Sequence, residues 1–390
     1  MITALDTERF LPEDYVRATL VGRIADPAHD GDPCVVIVRE GLVLDITHIA
    51  STVSELLEQD DLVPFLRHQT GRREWPLKQV VQNSLAQRQD AVRFIAPCDL
   101  QVIKACGVTF VGSMLERVIE EKASGDPLKA DKIRSSICEI VGTAIQKVTP
   151  GSPEAAKVKE FLQSNDLWSQ YLEVGIGSDA EVFTKAPVLS SVGSGEDIGI
   201  LRKSEWNNPE PELVLAVDSQ GHIKGVTLGN DVNLRDIEGR SALLLGKAKD
   251  NNGSCAIGPL IRVFDDNFTI DDARILQISL SIQGEDGYVL EGHSSLSEIS
   301  RDLLDLVSQT IGTHHQYPDG VMLFTGTLFA PTDDRGEKGQ GFTHKVGDRV
   351  TISAAALGAL VNTVRHSEDL RPWTFGIRQL MRSLQRRGFL

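Results

Sequence analysis

The sequence of 390 residues predicts an α+β protein with a small N-terminal mixed α/β domain, residues 1–95, and a larger β-rich domain, residues 96–390. Two observations carry this prediction. From about residue 180 onward, short β-branched runs alternate with turns rich in Gly, Asn and Asp, which is typical of β structure. Strands and helices do not alternate regularly along the chain, so a doubly wound parallel sheet is not expected.

The N-terminal domain is predicted to contain a hairpin and short helices. The apolar runs 35–38 and 42–44 flank Arg39-Glu40-Gly41, a polar turn that includes a glycine, which favours a hairpin. Residues 51–66 carry apolar side chains at the spacing of one or two short amphipathic helices. These elements predict a compact unit before residue 96.

Helices are expected to follow. Apolar residues recur at helical spacing through residues 114–148, and Gly151-Ser152-Pro153 predicts a turn that starts the next helix. In the β-rich part, strands are predicted over residues 213–217, 223–228, 260–263, 275–282 and 321–324. One further helix is predicted from a capping box of Ser295 and Glu298 to Gly312, with an apolar stripe between them.

Composition and charge argue against several classes of function. The formal net charge of −15 repels phosphate backbones and anionic lipid, so a nucleic-acid or membrane partner is not expected. The longest uncharged run, residues 350–364, is shorter than the roughly 20 apolar residues of a membrane-spanning helix. The acidic N-terminus does not resemble a secretory signal. Five scattered cysteines without a CxxC pair favour free thiols and a cytoplasmic protein.

An acidic cluster is the most informative feature. Glu210 and Glu212 lie two residues apart at the entrance of a predicted strand, so their side chains project from the same face. An antiparallel return strand ends near Asp231, which brings a third carboxylate to the same place. Three oxygen donors without His or Cys suit a hard cation, Mg²⁺ or Mn²⁺. The alternative is a solvated turn that leads into an edge strand.

Further motifs resemble those of the fumarylacetoacetate hydrolase superfamily. The motifs are Glu210-x-Glu212, Asn230-Asp231-x-x-x-Arg235-Asp236, Lys249 nine residues before Gly258-Pro259, residues 183–187, Gly193-Ser194-Gly195, and residues 324–327. The resemblance covers roughly residues 96–365. It implies a rolled, mixed β-sandwich and a metal bound by Glu210, Glu212 and Asp231.

The resemblance also implies a reaction. Members that hydrolyse carbon–carbon bonds carry a His and a Glu three residues apart, and here the matching positions are Ser113 and Glu116. A serine without its own base activates water poorly, so the hydrolase branch is less favoured. The stretch after Lys249 is more similar to the branch that dehydrates 2-keto-3-deoxy-D-pentonates, derived from D-xylonate or D-arabinonate, to 2,5-dioxopentanoate. A metal-dependent acylpyruvate or 2,4-diketo acid hydrolase is the alternative.

The implied roles of single residues follow the family pattern. Glu116 and Lys249 are the implied catalytic residues, Glu116 as base or as the group that manages the leaving hydroxyl. The implied substrate contacts are Ser113, Lys185, Arg235, Ser254, Gly326 and Thr327. Two of these have structural alternatives, because Arg235 can brace the acidic cluster and Ser254 can line a tight turn.

The implied partner is a small-molecule 2-keto-3-deoxy sugar acid, and the implied assembly is a homodimer or homotetramer. Two other interpretations stay open. Lys249 can instead form a Schiff base with the substrate, which would need no metal. A member of the fold without activity, acting as a sensor or scaffold, would tolerate loss of Glu210.

Overall fold

The computed structural model describes residues 8–110, 114–115, 118–119, 122, 148–165, 167–329, 331, 333–335 and 341–390. The strands are β1 (Leu20–Asp26), β2 (Asp32–Arg39), β3 (Leu42–Asp45), β4 (Glu74–Pro76), β5 (Arg93–Ile95), β6 (Val102–Gly107), β7 (Glu181–Ala186), β8 (Asp197–Ile200), β9 (Asn207–Asn208), β10 (Pro211–Val217), β11 (Ile223–Asp231), β12 (Asn233–Leu234), β13 (Cys255–Val263), β14 (Gln277–Gln283), β15 (Val289–Ser295), β16 (Val321–Phe324), β17 (Arg349–Ala354) and β18 (Gly358–His366). The helices are α1 (Val53–Leu57), α2 (Leu62–Arg67), α3 (Leu77–Leu85), α4 (Pro153–Ser164), α5 (Gln170–Ile176), α6 (Arg235–Glu238), α7 (Leu245–Lys249), α8 (Ile270–Arg274), α9 (Leu303–Thr310) and α10 (Ile377–Arg387).

Two large sheets organise the described residues. One has eleven strands in the order β4-β3-β2-β1-β13-β11-β10-β16-β6-β7, with β5 paired to β1. The other has five strands in the order β15-β14-β17-β18-β8. This α+β architecture of packed sheets confirms the predicted fold class. Among the described residues, no helix combines the length and the apolar composition needed to cross a bilayer.

Strand β10 is buried on both faces, because it lies between two layers. Leu213 and Leu215 face the core shared with β14, β17 and β18 of the smaller sheet. Val214 and Ala216, which alternate with them, face a second core shared with α1 and α2. A strand covered on both sides needs apolar residues at every position, which explains its continuous apolar sequence. The strand is therefore held firmly at the centre of the molecule.

Several local predictions are confirmed. The predicted hairpin is formed by β2 and β3, and Glu40 and Gly41 have φ angles of 51° and 75°. Left-handed residues at both central positions give the two-residue turn that matches the twist of a hairpin. Ser152 caps α4, as predicted, through a 3.1 Å hydrogen bond from Ala155 N to its hydroxyl oxygen. The five predicted strands of the β-rich part also form. Most of the predicted helical segment 114–148 lies outside the described residues.

The predicted helix from Ser295 to Gly312 starts in the wrong place. Ser295 caps only a short 3₁₀ turn, Leu296–Glu298, and Ile299 is extended. The chain is extended there because Ser300 N donates a 2.8 Å hydrogen bond to Thr109 O, a contact far away in the sequence. The α-helix α9 instead begins at Leu303, and its cap is Asp302, seven residues after Ser295. The Asp302 side chain accepts from Leu304 N at 2.9 Å. A tertiary contact therefore overrides the local capping signal.

The strands of residues 1–95 continue the sheet of the remaining chain. Strand β1 pairs with β13 in antiparallel register, Leu20 opposite Arg262. The buried Arg23 side chain donates hydrogen bonds to the carbonyl oxygens of Cys98 and Ala96 and lies 3.8 Å from Asp99. These contacts tie the two parts together. A boundary at residue 95 stays a prediction.

We expect the substitution Arg23→Met to lower the free energy of unfolding by about 2–3 kcal/mol, because it leaves buried carbonyl groups without a donor. Urea denaturation followed by circular dichroism measures this change. Arg202→Met is the control, since Arg202 forms a 2.6 Å ion pair with Asp369 in which both side chains are more than half exposed. Exposed pairs contribute little. Equal losses in the two variants would contradict the role of Arg23.

Candidate metal and active site

Glu210, Glu212 and Asp231 form the acidic cluster at one end of the hairpin of β10 and β11. Pro211 pairs with Asn230 in antiparallel register, and Asp231 N donates a 3.0 Å hydrogen bond to Glu210 O. The three side chains are buried, and one carboxylate oxygen of each lies within 4.8 Å of the others. The predicted convergence of these side chains is therefore present in the structure.

The ends of neighbouring strands complete this edge of the sheet. Asp231 lies opposite Cys255 at the start of β13, and Val214 of β10 lies opposite Phe324 at the end of β16. The segment after β16 therefore passes beside the acidic cluster. Residues far apart in the sequence, such as Glu212 and Thr327, meet at this edge because antiparallel register brings these strand ends together.

Two buried lysines contact the acidic cluster. Lys249, the last residue of α7, forms ion pairs with Glu210 and with Asp231, the latter at 3.0 Å between Nζ and Oδ2. Lys185, in β7, lies 2.9 Å from Asp231 Oδ1 and also donates to the carbonyl oxygen of Lys249. Lys185 has no exposed surface. This placement makes Lys185 a positioning residue for Asp231, whereas a direct substrate contact from Lys185 stays a prediction.

Gly326 and Thr327 contact Glu212. Gly326 N donates a 2.7 Å hydrogen bond to Glu212 Oε2, and the Thr327 hydroxyl donates to Oε1 at 3.2 Å. Gly326 has a φ angle of 103°, and a Cβ atom there would lie 1.9 Å from Thr109 Oγ1. A glycine is therefore required for the backbone to approach the carboxylate. Substrate binding by Gly326 and Thr327 stays a prediction.

Arg235 and Ser254 are both buried and contact other parts of the protein. The Arg235 guanidinium lies 5.4 Å from the centre of the Trp206 ring, a cation–π distance. The Ser254 hydroxyl donates to Lys249 O at 2.7 Å and accepts from Asn251 N at 2.9 Å, which shapes the turn before β13. The contacts of Ser254 favour its role in the turn, whereas bracing of the acidic cluster by Arg235 and a substrate contact from either residue stay predictions. Predicted catalytic Glu116 and predicted substrate contact Ser113 lie outside the described residues.

Residues 178–365 match the family model described as "Fumarylacetoacetate (FAA) hydrolase C-terminal". This range is therefore similar to the C-terminal domain of the fumarylacetoacetate hydrolases. The matched range contains all three members of the acidic cluster and both buried lysines. The range that matches the family model therefore carries the whole set of charges described above.

Two relatives and one solved structure are similar to the chain. "Probable 2-keto-3-deoxyxylonate dehydratase" of Haloferax volcanii is 33% identical over 202 residues, 52% of this chain and 66% of the relative. "2-dehydro-3-deoxy-D-arabinonate dehydratase" of Saccharolobus solfataricus is 35% identical over 185 residues, 47% of this chain and 58% of the relative. The matches thus span less than two thirds of either relative.

The structure of a "2-keto-3-deoxy-D-arabinonate dehydratase complexed with magnesium and 2,5-dioxopentanoate" superposes with a TM-score of 0.61 and 22% identity. The superposition covers 89% of this chain and 99% of the other. At this identity the likeness shows the shared fold. The likeness extends well beyond residues 178–365, which agrees with the continuous sheet that joins the N-terminal strands to β13.

The charges of the acidic cluster and the two lysines fit a divalent cation. Three carboxylates face two ammonium groups, so the buried group carries a net negative charge when all five are ionised. Burial, followed by the charges of Asp231 and Glu210, raises the pKa of the Glu212 carboxyl well above its ordinary value. Two ammonium groups leave at least one negative charge of the three carboxylates without a positive partner. The all-oxygen donor set suits Mg²⁺ or Mn²⁺.

Asn233 and Glu238 are the residues of the site that the sequence analysis missed. Asn233 Nδ2 donates to Glu210 Oε1 at 3.1 Å and also to a carboxylate oxygen of Glu238. Asn233 lies two residues after Asp231, and that spacing on a strand was the signal available in the sequence. Glu238 had no such signal, because its contact depends on the turn into α6.

We expect Glu212→Gln to stabilise the metal-free protein at pH 8, by on the order of 1–3 kcal/mol, because it removes a buried charge that the protein does not compensate. The pKa of Glu212 is raised by folding. The stability contributed by its protonated form is therefore present below the ordinary carboxyl pKa and is lost as the pH rises through the raised pKa. The difference between variant and wild type should shrink as the pH is lowered. Thermal unfolding in EDTA from pH 5 to pH 8 measures it.

The exposed Glu205 provides the control, since Glu205→Gln removes a charge that is already solvated. Excess Mg²⁺ should raise the unfolding temperature of the wild type and leave that of Glu212→Gln nearly unchanged. A Glu212→Gln variant that is less stable than the wild type at every pH would contradict the charge argument.

Proposed function

We propose that the protein is a Mg²⁺-dependent dehydratase that converts a 2-keto-3-deoxy-D-pentonate into 2,5-dioxopentanoate. The proposal depends mainly on the acidic cluster, which is buried at the ends of β10 and β11 and contacts two lysines. The relatives that are 33% and 35% identical are named as dehydratases of this substrate class. The solved structure with the shared fold is described with magnesium and 2,5-dioxopentanoate. Each of these supports the proposal.

The proposed reaction loses one water and needs no redox partner. A proton leaves C3, the C4 hydroxyl departs as water, and the product rearranges to the aldehyde. Glu210, Glu212 and Asp231 would hold the cation. When bound, a divalent cation supplies a Lewis acid for the 2-keto oxygen, which lowers the pKa of the C3 proton. Mn²⁺ would fit the same donors.

Lys249 is the described residue best placed to act on the substrate. Its ammonium group lies against Glu210 and Asp231. It can therefore stabilise negative charge that develops beside the acidic cluster, or deliver the proton that is needed for the rearrangement to the aldehyde. Lys185 holds Asp231 from the other side. Glu116 remains the proposed base or leaving-group acid. Because Ser113 replaces the histidine of the hydrolases, hydrolysis of acylpyruvates is the less favoured alternative.

Location and assembly complete the proposal. Cys34, Cys98, Cys106 and Cys255 are free and buried among the described residues, which supports a reducing, cytoplasmic location. The resemblance to the fumarylacetoacetate hydrolase family supports a homodimer or homotetramer. Light scattering coupled to size exclusion measures the assembly directly.

We expect purified protein with Mg²⁺ to form 2,5-dioxopentanoate from 2-keto-3-deoxy-D-xylonate or 2-keto-3-deoxy-D-arabinonate, observed by proton NMR as an aldehyde and its hydrate. EDTA should abolish turnover and Mg²⁺ should restore it. Pyruvate release from acylpyruvates, with no aldehyde from either pentonate, would support the hydrolase instead. Turnover that survives EDTA, together with a borohydride-trapped adduct at Lys249, would support the Schiff-base alternative.

We expect Lys249→Met to reduce kcat by about 10²–10⁴-fold, the usual contribution of one acid–base group. The matched control is Lys247→Met, two residues earlier in the same helix, where the side chain is exposed. This control should keep wild-type turnover because Lys247 does not contact the acidic cluster. Steady-state kinetics at saturating Mg²⁺ compare the two. Similar kcat values in both variants would contradict the role of Lys249.

A further inference from the structure

One buried amide connects the acidic cluster to a fourth carboxylate. Asn233, in the short strand β12, is fully buried and lies between Glu210 and Glu238. Its Nδ2 group donates to both carboxylates, so both amide hydrogens are used. Glu238 is almost fully buried as well. The result is a carboxylate–amide–carboxylate chain that ends on a proposed metal ligand.

Each carboxylate of the acidic cluster contacts a different group, and Lys249 contacts Glu210 and Asp231 as well. The backbone and hydroxyl groups of Gly326 and Thr327 hold Glu212, and Lys185 holds Asp231. The side-chain amide of Asn233 donates the corresponding hydrogen bond to Glu210. Groups that hydrogen-bond a metal ligand orient it and tune its affinity for the ion.

We propose that Asn233 and Glu238 are positioning residues that hold the carboxylate of Glu210 in its metal-binding orientation. The inference rests on the proposed metal site and goes beyond it, because neither residue is itself a proposed ligand. Asn233 holds Glu210 directly. Glu238 acts through Asn233, because it fixes which way the amide group points.

The orientation of the amide follows from electrostatics. With Nδ2 between the two carboxylates, each hydrogen has an anionic acceptor, and such charge-assisted bonds are stronger than neutral ones. Rotation of the amide by 180° would place Oδ1 of Asn233 against two anionic oxygens, which is repulsive. In the observed orientation, no donor among the described residues reaches the buried Oδ1. The two carboxylates therefore keep the amide in place even though its oxygen loses a partner.

Glu238 also lies where it can be replaced without disturbing the core. It lines a surface cavity of about 350 Å³ together with Tyr171 and Arg240. A shorter side chain at this position would enlarge the surface cavity rather than leave a closed void. Variants of Glu238 are therefore expected to fold, and they report on the orientation of Asn233.

The test is the affinity for Mn²⁺ and Mg²⁺, measured by calorimetry on the full-length protein without substrate. Asn233→Ala should weaken binding by about 10–100-fold, the usual loss when a group that orients a metal ligand is removed. Glu238→Ala should weaken binding in the same direction. Glu238→Gln should bind as the wild type does, because its amide oxygen still accepts the hydrogen bond from Asn233.

Asn208→Ala is the matched control. Asn208 is equally buried and pairs directly with Asn233 in the ladder of β9 and β12, but its Nδ2 donates to Pro209 O at 2.8 Å rather than to a carboxylate. The affinity of the Asn208→Ala variant for Mn²⁺ should stay close to that of the wild type. Thermal unfolding in EDTA shows whether each variant is folded. If Asn233→Ala does not fold, the comparison of Glu238→Ala with Glu238→Gln decides the outcome.

Equal affinities of wild type and Asn233→Ala would overturn the inference, and so would equal losses in Asn233→Ala and Asn208→Ala. Equal losses in Glu238→Ala and Glu238→Gln would overturn the role of Glu238 as an acceptor. In each of these cases the wild type still binds the ion, so the proposed function is untouched. A wild type that takes up neither Mn²⁺ nor Mg²⁺ would overturn the proposed function together with the inference.

Discussion

The burial of three carboxylates within 4.8 Å of one another is the constraint on which the centre of this molecule depends. Like charges in a buried place repel each other strongly, so the surrounding chain must supply compensation. Lys185 and Lys249 supply positive charge, and the backbone at Gly326 supplies a hydrogen-bond donor. The compensation is incomplete, because two ammonium groups face three carboxylates. An incompletely compensated buried anionic site is suited to bind a divalent cation.

The sheet gives this cluster its rigidity. Strand β10 is packed on both faces, and its register with β11 sets which oxygen atoms meet at the strand ends. A slip of one residue would turn Glu212 to the opposite face. The N-terminal strands contribute to the same framework, because β1 pairs with β13 and β13 pairs with the strand that ends at Asp231. The N-terminal strands thus support the site through the pairing of β1 with β13.

Much of the fold could be predicted because its signals are local. The hairpin of β2 and β3 follows from a polar turn between two β-branched runs, and the cap of α4 follows from Ser152 before Pro153. The start of α9 could not be predicted in this way. Ser295 and Glu298 match the sequence pattern of a helix cap. The chain after them is nevertheless extended, because Ser300 N donates a hydrogen bond to Thr109 O, and the helix is capped by Asp302 instead. The sequence does not display that competition.

The sequence by itself determined that Glu210, Glu212 and Asp231 share one face of a hairpin end, because the two-residue repeat of a strand and an antiparallel return fix that geometry. Only the tertiary structure decided which residues hold these carboxylates. Lys185 reaches Asp231 across 46 positions of the chain, and Gly326 reaches Glu212 across 114. Periodicity describes which face a side chain lies on, whereas a hydrogen-bond partner depends on how distant strands and turns pack, and that is set by the whole fold.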